Sequence, residues 1–398
     1  MAHIEDRWKS GDKGRLRWCV RYRDPAGAQR RRSFRRRVDA ERFLTSIEAD
    51  RLRGTWIDQA IAQTSVGKMA ERWYDTTADL RPTTRKDYRF LLDKQVLPEF
   101  GRVAVGAVDA LAVRGWLARL GQQGLSASRR RHAFYVLSAI LDAAVQANGL
   151  ARNPLAQNAA ERKSIPMPYG RRHEMCFLSA AQVEQLAEAI TAPYGTLIRF
   201  AAYTGLRAGE IGALRVRHLD LLHGMVRVVE STADVGGHLI TGPTKTKVER
   251  TVRLPRFLRD ELSVYLAGRR AHPDAYVFTA QGEGQLRHNN FYQRHYKPAV
   301  RRAGLPERLR FHDLRHTCAS LLIAQGAHPR AIMEHLGHSS ISITMDRYGH
   351  VFPDQMEALA NQLDAARFEA LDEPLAAPLR PRSGERPARG SIVGGGGA

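Results

Sequence analysis

Arginine, lysine, histidine and tyrosine stand among apolar residues in four stretches of this 398-residue chain. "AAYTGLRAGEIGALR" places Arg207 after a glycine turn, at the head of a helix. "GPTKTKVERTVRLP" puts Lys245 in a hairpin-like turn, and "RFHDLRHTCASLL" supplies His312 and Arg315, three apart and so on one helix face. "IMEHLGHSSISITMDRYGHV" gives His338 in a loop after a helix, with Tyr348 ten residues later. Taken singly, each has an ordinary structural explanation. An arginine opening a helix is commonly a surface residue, a lysine in a turn is solvated, and a tyrosine before a glycine packs at a helix end.

Together they meet one chemical demand. Cutting a phosphodiester without a metal requires neutralisation of a pentacoordinate phosphate, a nucleophile, and an acid for the leaving oxygen. Two arginines can fork onto the non-bridging oxygens. A histidine on the same surface can donate a hydrogen bond or act as a base. A lysine on a turn can protonate the leaving alkoxide, and a tyrosine hydroxyl can attack and store the bond energy as a phosphotyrosine. The competing reading is a metal held by His312 and His316, one turn apart. No third ligand with zinc spacing accompanies them, Asp313 points off their face, and Arg315 between them repels a cation. His316 is expected instead to orient a neighbour by hydrogen bonding, and Tyr203, Tyr292 and Tyr296 to pack. His335 and His350 receive no role.

The elements that must position these residues can be read from periodicity. In the first block Trp18, Val20 and Tyr22 alternate with Arg17, Arg21 and Arg23, the pattern of a strand with one basic face. "DPAG" supplies a turn and "QRRRSFRR", with Arg30, Arg31 and Arg32, the partner strand; a helix follows from about Asp39 as N-cap. Residues 1–53 hold 16 Lys+Arg against 8 Asp+Glu, a net +8. A second block, about 65–155, carries apolar residues at helical spacing in four segments, with Gly124 and Gly149 placed as C-caps. Its clusters Arg85–Lys86 and Arg129–Arg130–Arg131 lie near helix starts, where dipole and side chain both favour phosphate. After a Pro-containing connector the largest block, about 175–366, opens with a Ser179/Gln182 capping box. It contains helices and two strand candidates, "GMVRVVE" and "ERTVRLP", around a Gly/Thr/Lys-rich turn. Residues 370–398 are Pro-, Arg- and Gly-rich and are expected to be disordered.

Composition narrows the partners. The formal net charge is +21, with 43% hydrophobic residues, so the chain is expected to be globular and to attract polyanions, foremost nucleic acid. No apolar run approaches the roughly 20 residues a membrane span needs, and the amino terminus has no signal-like apolar core. Three scattered cysteines argue against a disulfide framework or cysteine zinc site and for a cytoplasmic setting.

The ordered set "TGLRAGEI", "TKTK", "HDLRHT", "LGHSS" and "DRYGHV" resembles the tyrosine recombinases, especially phage and prophage integrases. The resemblance implies a multidomain, mainly α protein: a small α+β arm-type DNA-binding domain at 1–55, a helical core-DNA-binding domain at 65–155, and a mixed α/β, mostly helical catalytic domain at 175–366. It implies that Arg207 and Arg315 hold the scissile phosphate and that Lys245 is the general acid, with Lys247 the alternative. His312 matches a proton acceptor or phosphate ligand, His338 a phosphate donor, Tyr348 the nucleophile, and Glu210 an acidic position that steadies the pocket. It further implies site-specific recombination of double-stranded DNA at crossover and arm-type sites. The partners implied are a homo-tetramer on DNA, bending or directionality proteins, and no membrane. No metal or cofactor is implied. A non-catalytic DNA-binding regulator and a type IB-like topoisomerase are the alternative functions.

Overall fold

The computed structural model describes residues 2–9, 16–24, 27–53, 56–156, 167–169, 174–244, 249–268, 272–281, 284–352, 360–361 and 363–368. Lys245, Lys247 and the 370–398 tail lie outside the described residues.

Three antiparallel strands, β1 (His3–Asp6), β2 (Trp18–Arg23) and β3 (Gln29–Phe34), form a sheet in that order. α1 (Arg37–Arg53) covers one face through Phe43, whose ring meets Tyr22 at 5.9 Å and Phe34 at 5.1 Å. The helix begins at Arg37 and not at Asp39; Asp39 lies in the first turn, where a carboxylate complements the helix dipole without capping it.

A short α2 (Gln59–Ala62) leads into a helical unit: α3 (Val66–Asp75), α4 (Pro82–Leu91), α5 (Leu97–Phe100), α6 (Ala110–Gln122) and α7 (Ala127–Gln146). Ser65, Asp109 and Ser126 cap α3, α6 and α7 by accepting from backbone N–H groups. α4 and α5 are continuous through a π turn at Leu92–Val96, just before Pro98, whose missing N–H cannot sustain the regular ladder. Asn148 (φ 59°), not Gly149, takes the left-handed position after α7. Gly149 is small for another reason: a Cβ there would lie 2.5 Å from Ile61 Cγ2. Val66, Leu92, Val113, Leu137 and Ile140 are among the core residues of this unit.

The largest unit begins with α8 (Ala180–Ala189), whose Ser179/Gln182 capping box is formed. α9 (Gly195–Thr204) and α10 (Ala208–Ala213) follow, then β4 (Leu219–Asp220), β5 (Met225–Val228), β6 (Glu230–Val235), β7 (His238–Pro243) and β8 (Arg250–Arg253). β4, β5 and β8 make one antiparallel sheet, with Val226 opposite Val252. β6 and β7 make a separate ribbon where the sequence suggested only a turn. Its strands lack apolar alternation because Thr232 and Thr241 pair across it, hydroxyl to hydroxyl at 2.8 Å. Gly236 and Gly237, both at positive φ, close it in two residues. α11 (Arg256–Ala267), α12 (His288–Phe291), α13 (Lys297–Arg302), α14 (Asp313–Ala324), α15 (Pro329–Leu336) and α16 (Ile341–Tyr348) complete the unit. One core runs from Cys176 to Leu314; a smaller cluster of Cys318, Ala319, Ile323, Ile332, Leu336 and Tyr348 lies beside it. The helical unit touches the ribbon: Arg81 Nη2 donates to the Thr244 carbonyl at 2.7 Å. No helix among the described residues is long and apolar enough to cross a membrane.

Candidate active site

α9 ends on Gly205 in the left-handed conformation (φ 64°), so the chain turns sharply and delivers Arg207 just ahead of α10. A Cβ at 205 would lie 2.5 Å from Leu336 Cδ2 and 3.2 Å from Cys318 Sγ, so backbone and space both demand glycine. One turn on, Glu210 folds back. Its Oε2 accepts from the Arg207 backbone N–H and its Oε1 from Arg207 Nη1, each at 2.8 Å. Arg250 of β8 forks onto the same carboxylate, at 3.0 Å from Nη1 and 2.8 Å from Nη2. Arg315, in the first turn of α14 and 2% exposed, donates to the carbonyls of Gly205 (2.7 Å) and Leu336 (2.6 Å).

The carboxyl end of α15 gathers all three guanidinium groups. The consecutive carbonyls of His335, Leu336 and Gly337 accept from Arg250 Nε (3.2 Å), Arg315 Nη2 (2.6 Å) and Arg207 Nη2 (3.3 Å). Unpaired carbonyls and the negative end of the helix dipole both favour cations here. Gly337, left-handed at φ 67°, closes the helix with its N–H on Glu334 and that of His338 on Met333, a Schellman turn. The turn brings His338 within electrostatic reach of Arg315 and Arg207.

His338 Nδ1 lies 2.9 Å from Thr344 Oγ1 of α16. With Thr344 donating, the ring proton sits on Nε2, which is buried and has no hydrogen-bond partner among the described residues. Tyr348, one turn beyond Thr344, is fully buried. Its hydroxyl is 2.8 Å from His316 Nδ1, and its ring stacks at 14° on His338 with centroids 6.3 Å apart. The His312 and His316 rings meet edge to face at 5.0 Å.

Charge at this locus is unbalanced. Three guanidinium groups surround one described carboxylate, which leaves two positive charges. Burial by itself would raise the Glu210 pKa, but the hydrogen bonds and charge of Arg250, then Arg207, hold it at about 2. Burial and then the neighbouring Arg207 depress Arg315, against the pull of Glu210. Burial, reinforced by Arg315, lowers His338 to about 3, and burial with His312 nearby lowers His316 to about 4. His312 is exposed at its outer edge but ringed by protein; lost hydration and then Arg315 hold it below the usual imidazole range. Burial raises Tyr348 against the pull of Arg315 and Arg347. The arrangement is a cationic pocket for a tetrahedral or pentacoordinate anion, edged by neutral imidazoles and a buried phenol.

Of the residues marked in the sequence, Arg207, Glu210, Arg315, His338 and Tyr348 meet at this locus, and His312 borders it beside His316. Asp313 is buried and turned to Arg310, accepting from its backbone N–H (2.8 Å) and Nη2 (2.8 Å). Tyr296 is buried and its hydroxyl donates to the Arg310 carbonyl (3.2 Å), while Tyr203 packs on Phe257 at 4.9 Å. Arg250 and Thr344 escaped sequence reading. Arg250 shares a strand face with buried Val252, and Thr344 precedes Tyr348 by one turn; those spacings were the available signals.

The marked basic residues elsewhere do not form one patch. By register, Arg21 and Arg31 are opposite each other and share the sheet face away from α1 with Arg23. Arg30 and Arg32 point to the helix side, Arg30 paired with Asp24 (3.0 Å) and Asp58 (2.9 Å), and Arg32 over Phe43 at 4.8 Å. Arg17 forks onto Asp6. In the helical unit Arg85 stacks on Tyr74, Arg129 pairs with Asp87, and Arg130 and Arg131 donate to the Leu117 and Pro168 carbonyls. Lys86 is exposed.

Known proteins share this sequence pattern and fold. The phage integrase family model matches residues 176–355. A putative prophage phiRv2 integrase of Mycobacterium tuberculosis is 28% identical over 345 residues, covering 84% of this chain and 88% of that protein. Among solved structures, the Tn1549 transposon integrase in complex with transposon right-end DNA superposes with a TM-score of 0.63 at 20% identity, over 77% of this chain and 99% of that one. A lambda integrase dimer bound to a COC' core site does so with a TM-score of 0.54 at 17% identity, over 83% and 91%.

Proposed function

We propose that this chain is a tyrosine recombinase, a site-specific DNA strand-breaking and rejoining enzyme, as its phage integrase match over residues 176–355 supports, that Tyr348 is the nucleophile, and that the three-arginine pocket holds the scissile phosphate. The observation that carries this reading is the three-arginine cluster around one carboxylate, near His338, whose buried Nε2 has no partner among the described residues and whose imidazole the Tyr348 ring stacks on. A phosphodiester brings one negative charge and gains a second as the phenolate oxygen bonds to phosphorus. A preorganised pocket of charge two favours that transition state over the ground state.

In this scheme Arg207 and Arg315 engage the non-bridging oxygens, His338 Nε2–H donates to one of them, and Glu210 with Arg250 fixes the orientation of Arg207. Tyr348 Oη displaces the 5′ oxygen and leaves a 3′-phosphotyrosyl bond; Lys245 supplies the proton to the leaving oxygen. The 5′-hydroxyl of a partner duplex reverses the step, so the phosphotyrosine conserves the energy for rejoining. The helical unit at 65–155 grips the crossover duplex together with the catalytic unit at 175–366, and the amino-terminal sheet binds a second, arm-type site through Arg21, Arg23 and Arg31. Four copies on two duplexes, with bending or directionality proteins, complete the assembly. The DNA held by the Tn1549 and lambda relatives supports double-stranded DNA as the partner.

The test is a suicide DNA substrate nicked beside the crossover, incubated in EDTA with wild type and Tyr348→Phe. A denaturation-resistant protein–DNA adduct with wild type alone is expected. Binding by both proteins without an adduct from either would overturn the catalytic reading.

A further inference from the structure

The scheme leaves the phenolic proton of Tyr348 unassigned, and the residue that touches it is not the one the sequence pointed to. Tyr348 Oη lies 2.8 Å from His316 Nδ1. His316 is 5% exposed and Tyr348 is fully buried, so bulk water does not compete for this hydrogen bond. The two rings meet edge to face with centroids 5.7 Å apart, and in the tautomer with the ring proton on Nε2 the Nδ1 lone pair accepts from the hydroxyl. His312, the expected proton acceptor, is exposed and packs edge to face on the His316 ring, with centroids 5.0 Å apart. We propose that His316 is a further catalytic residue, the general base that removes the Tyr348 proton during strand cleavage and returns it during rejoining. The proposal rests on Tyr348 being the nucleophile.

In the cleavage step the Tyr348 O–H bond breaks and its proton passes to His316 Nδ1. The phenolic oxygen forms a bond to phosphorus, the bond from phosphorus to the 5′ oxygen breaks, and that oxygen takes a separate proton from the general acid. Rejoining runs the same transfers backward, with the His316 imidazolium protonating the departing tyrosine. A base must be neutral to act, and burial first, then the charged groups around it, keep His316 so. His312 and Asp313 at the start of its own helix act on it together with Arg310, Arg347, His338 and Tyr348, and among these the cations outnumber the single carboxylate. Nδ1 can accept only if Nε2 carries the ring proton, so His316 serves in one tautomer.

The experiment is single-turnover adduct formation by the full-length protein on the suicide substrate between pH 6 and 9. Wild type, His316→Gln, His312→Ala and Tyr348→Phe are compared on ordinary DNA and on DNA whose leaving oxygen is replaced by sulfur. Glutamine can still hydrogen-bond the phenol but cannot take its proton. We expect His316→Gln to bind core DNA like wild type and to form adduct at least about a hundredfold more slowly at neutral pH. Its rate should climb with pH as the phenol ionises unaided, and the sulfur leaving group should not restore it. Wild type should be level across the alkaline range. A His316→Gln rate within a few-fold of wild type with the same pH profile would reduce His316 to a packing residue and overturn the proposal. Should His316→Gln fail to fold, a wild-type rate that keeps rising tenfold per pH unit from 7 to 9 overturns it equally. Adduct formed by Tyr348→Phe would instead refute the nucleophile assignment, a separate result.

Discussion

Two regions of this molecule are rich in arginine, and they use it in opposite ways. In the three-arginine pocket Arg207, Arg250 and Arg315 are held by backbone carbonyls and one carboxylate. Carbonyls orient a guanidinium without cancelling its charge, so the pocket retains an excess for an anion to meet. On the amino-terminal sheet Arg17, Arg21 and Arg30 are each matched by carboxylates, Asp6, Glu5, and Asp24 with Asp58; the guanidinium groups are partly exposed while Asp24 and Asp58 are buried. There carboxylates cancel the guanidinium charge, and the exposed Arg21–Glu5 pair is worth little. The residue type alone therefore says less about chemistry than what the guanidinium is tied to.

The contrast can be pressed hardest in the pocket. Tyr348→Phe should abolish adduct formation while leaving gel-shift binding of core DNA intact. Arg315→Lys keeps a charge but loses the fork that spans the Gly205 and Leu336 carbonyls; about 10²- to 10³-fold slower cleavage is expected in a single-turnover assay. Arg250→Leu strips Glu210 of its bidentate partner in a buried setting. It should destabilise the catalytic unit by about 3–5 kcal/mol, read as a lowered denaturation midpoint, and slow cleavage with it. Arg21→Ala, Arg23→Ala and Arg31→Ala combined should leave suicide-substrate cleavage unchanged. They should flatten the salt dependence of arm-site binding by up to roughly 0.9 in log–log slope for each phosphate no longer neutralised. Wild-type behaviour there would detach the sheet from DNA binding.

The smallest effect is in stability against pH. His316 is depressed to about 4 from an ordinary 6.5 by burial, so between those values the unfolded chain binds the proton that the folded one refuses. Stability should fall as pH drops through that window, by at most about 1.4 kcal/mol per unit for this group. His316→Gln should remove that share of the slope, measured by denaturant titration at several pH values.

Much of the site was legible because its side chains sit in short motifs with helical or turn spacing: Arg207 behind Gly205, His312 with Arg315, and Tyr348 ten residues past His338. What stayed hidden depends on backbone atoms and on distant pairs. The three carbonyls that end α15 carry no residue identity, and Arg250 looks like any strand arginine until Glu210, forty positions away, is placed against it. His316 could be marked as an orienting group, yet its partner 32 residues on could not be named. In the fold, helices declared themselves through apolar periodicity and caps. The β6–β7 ribbon did not, because threonine pairing and a Gly-Gly turn replace hydrophobic alternation.

Every step of the proposed chemistry depends on Tyr348 being the residue that bonds to DNA. The most direct measurement is mass spectrometry of the wild-type adduct after proteolysis and nuclease trimming. A nucleotide mass on the peptide containing Tyr348, with the fragment ions placing it on that tyrosine, is the predicted result. An adduct on another residue, or cleaved DNA with no adduct on any peptide, would contradict it.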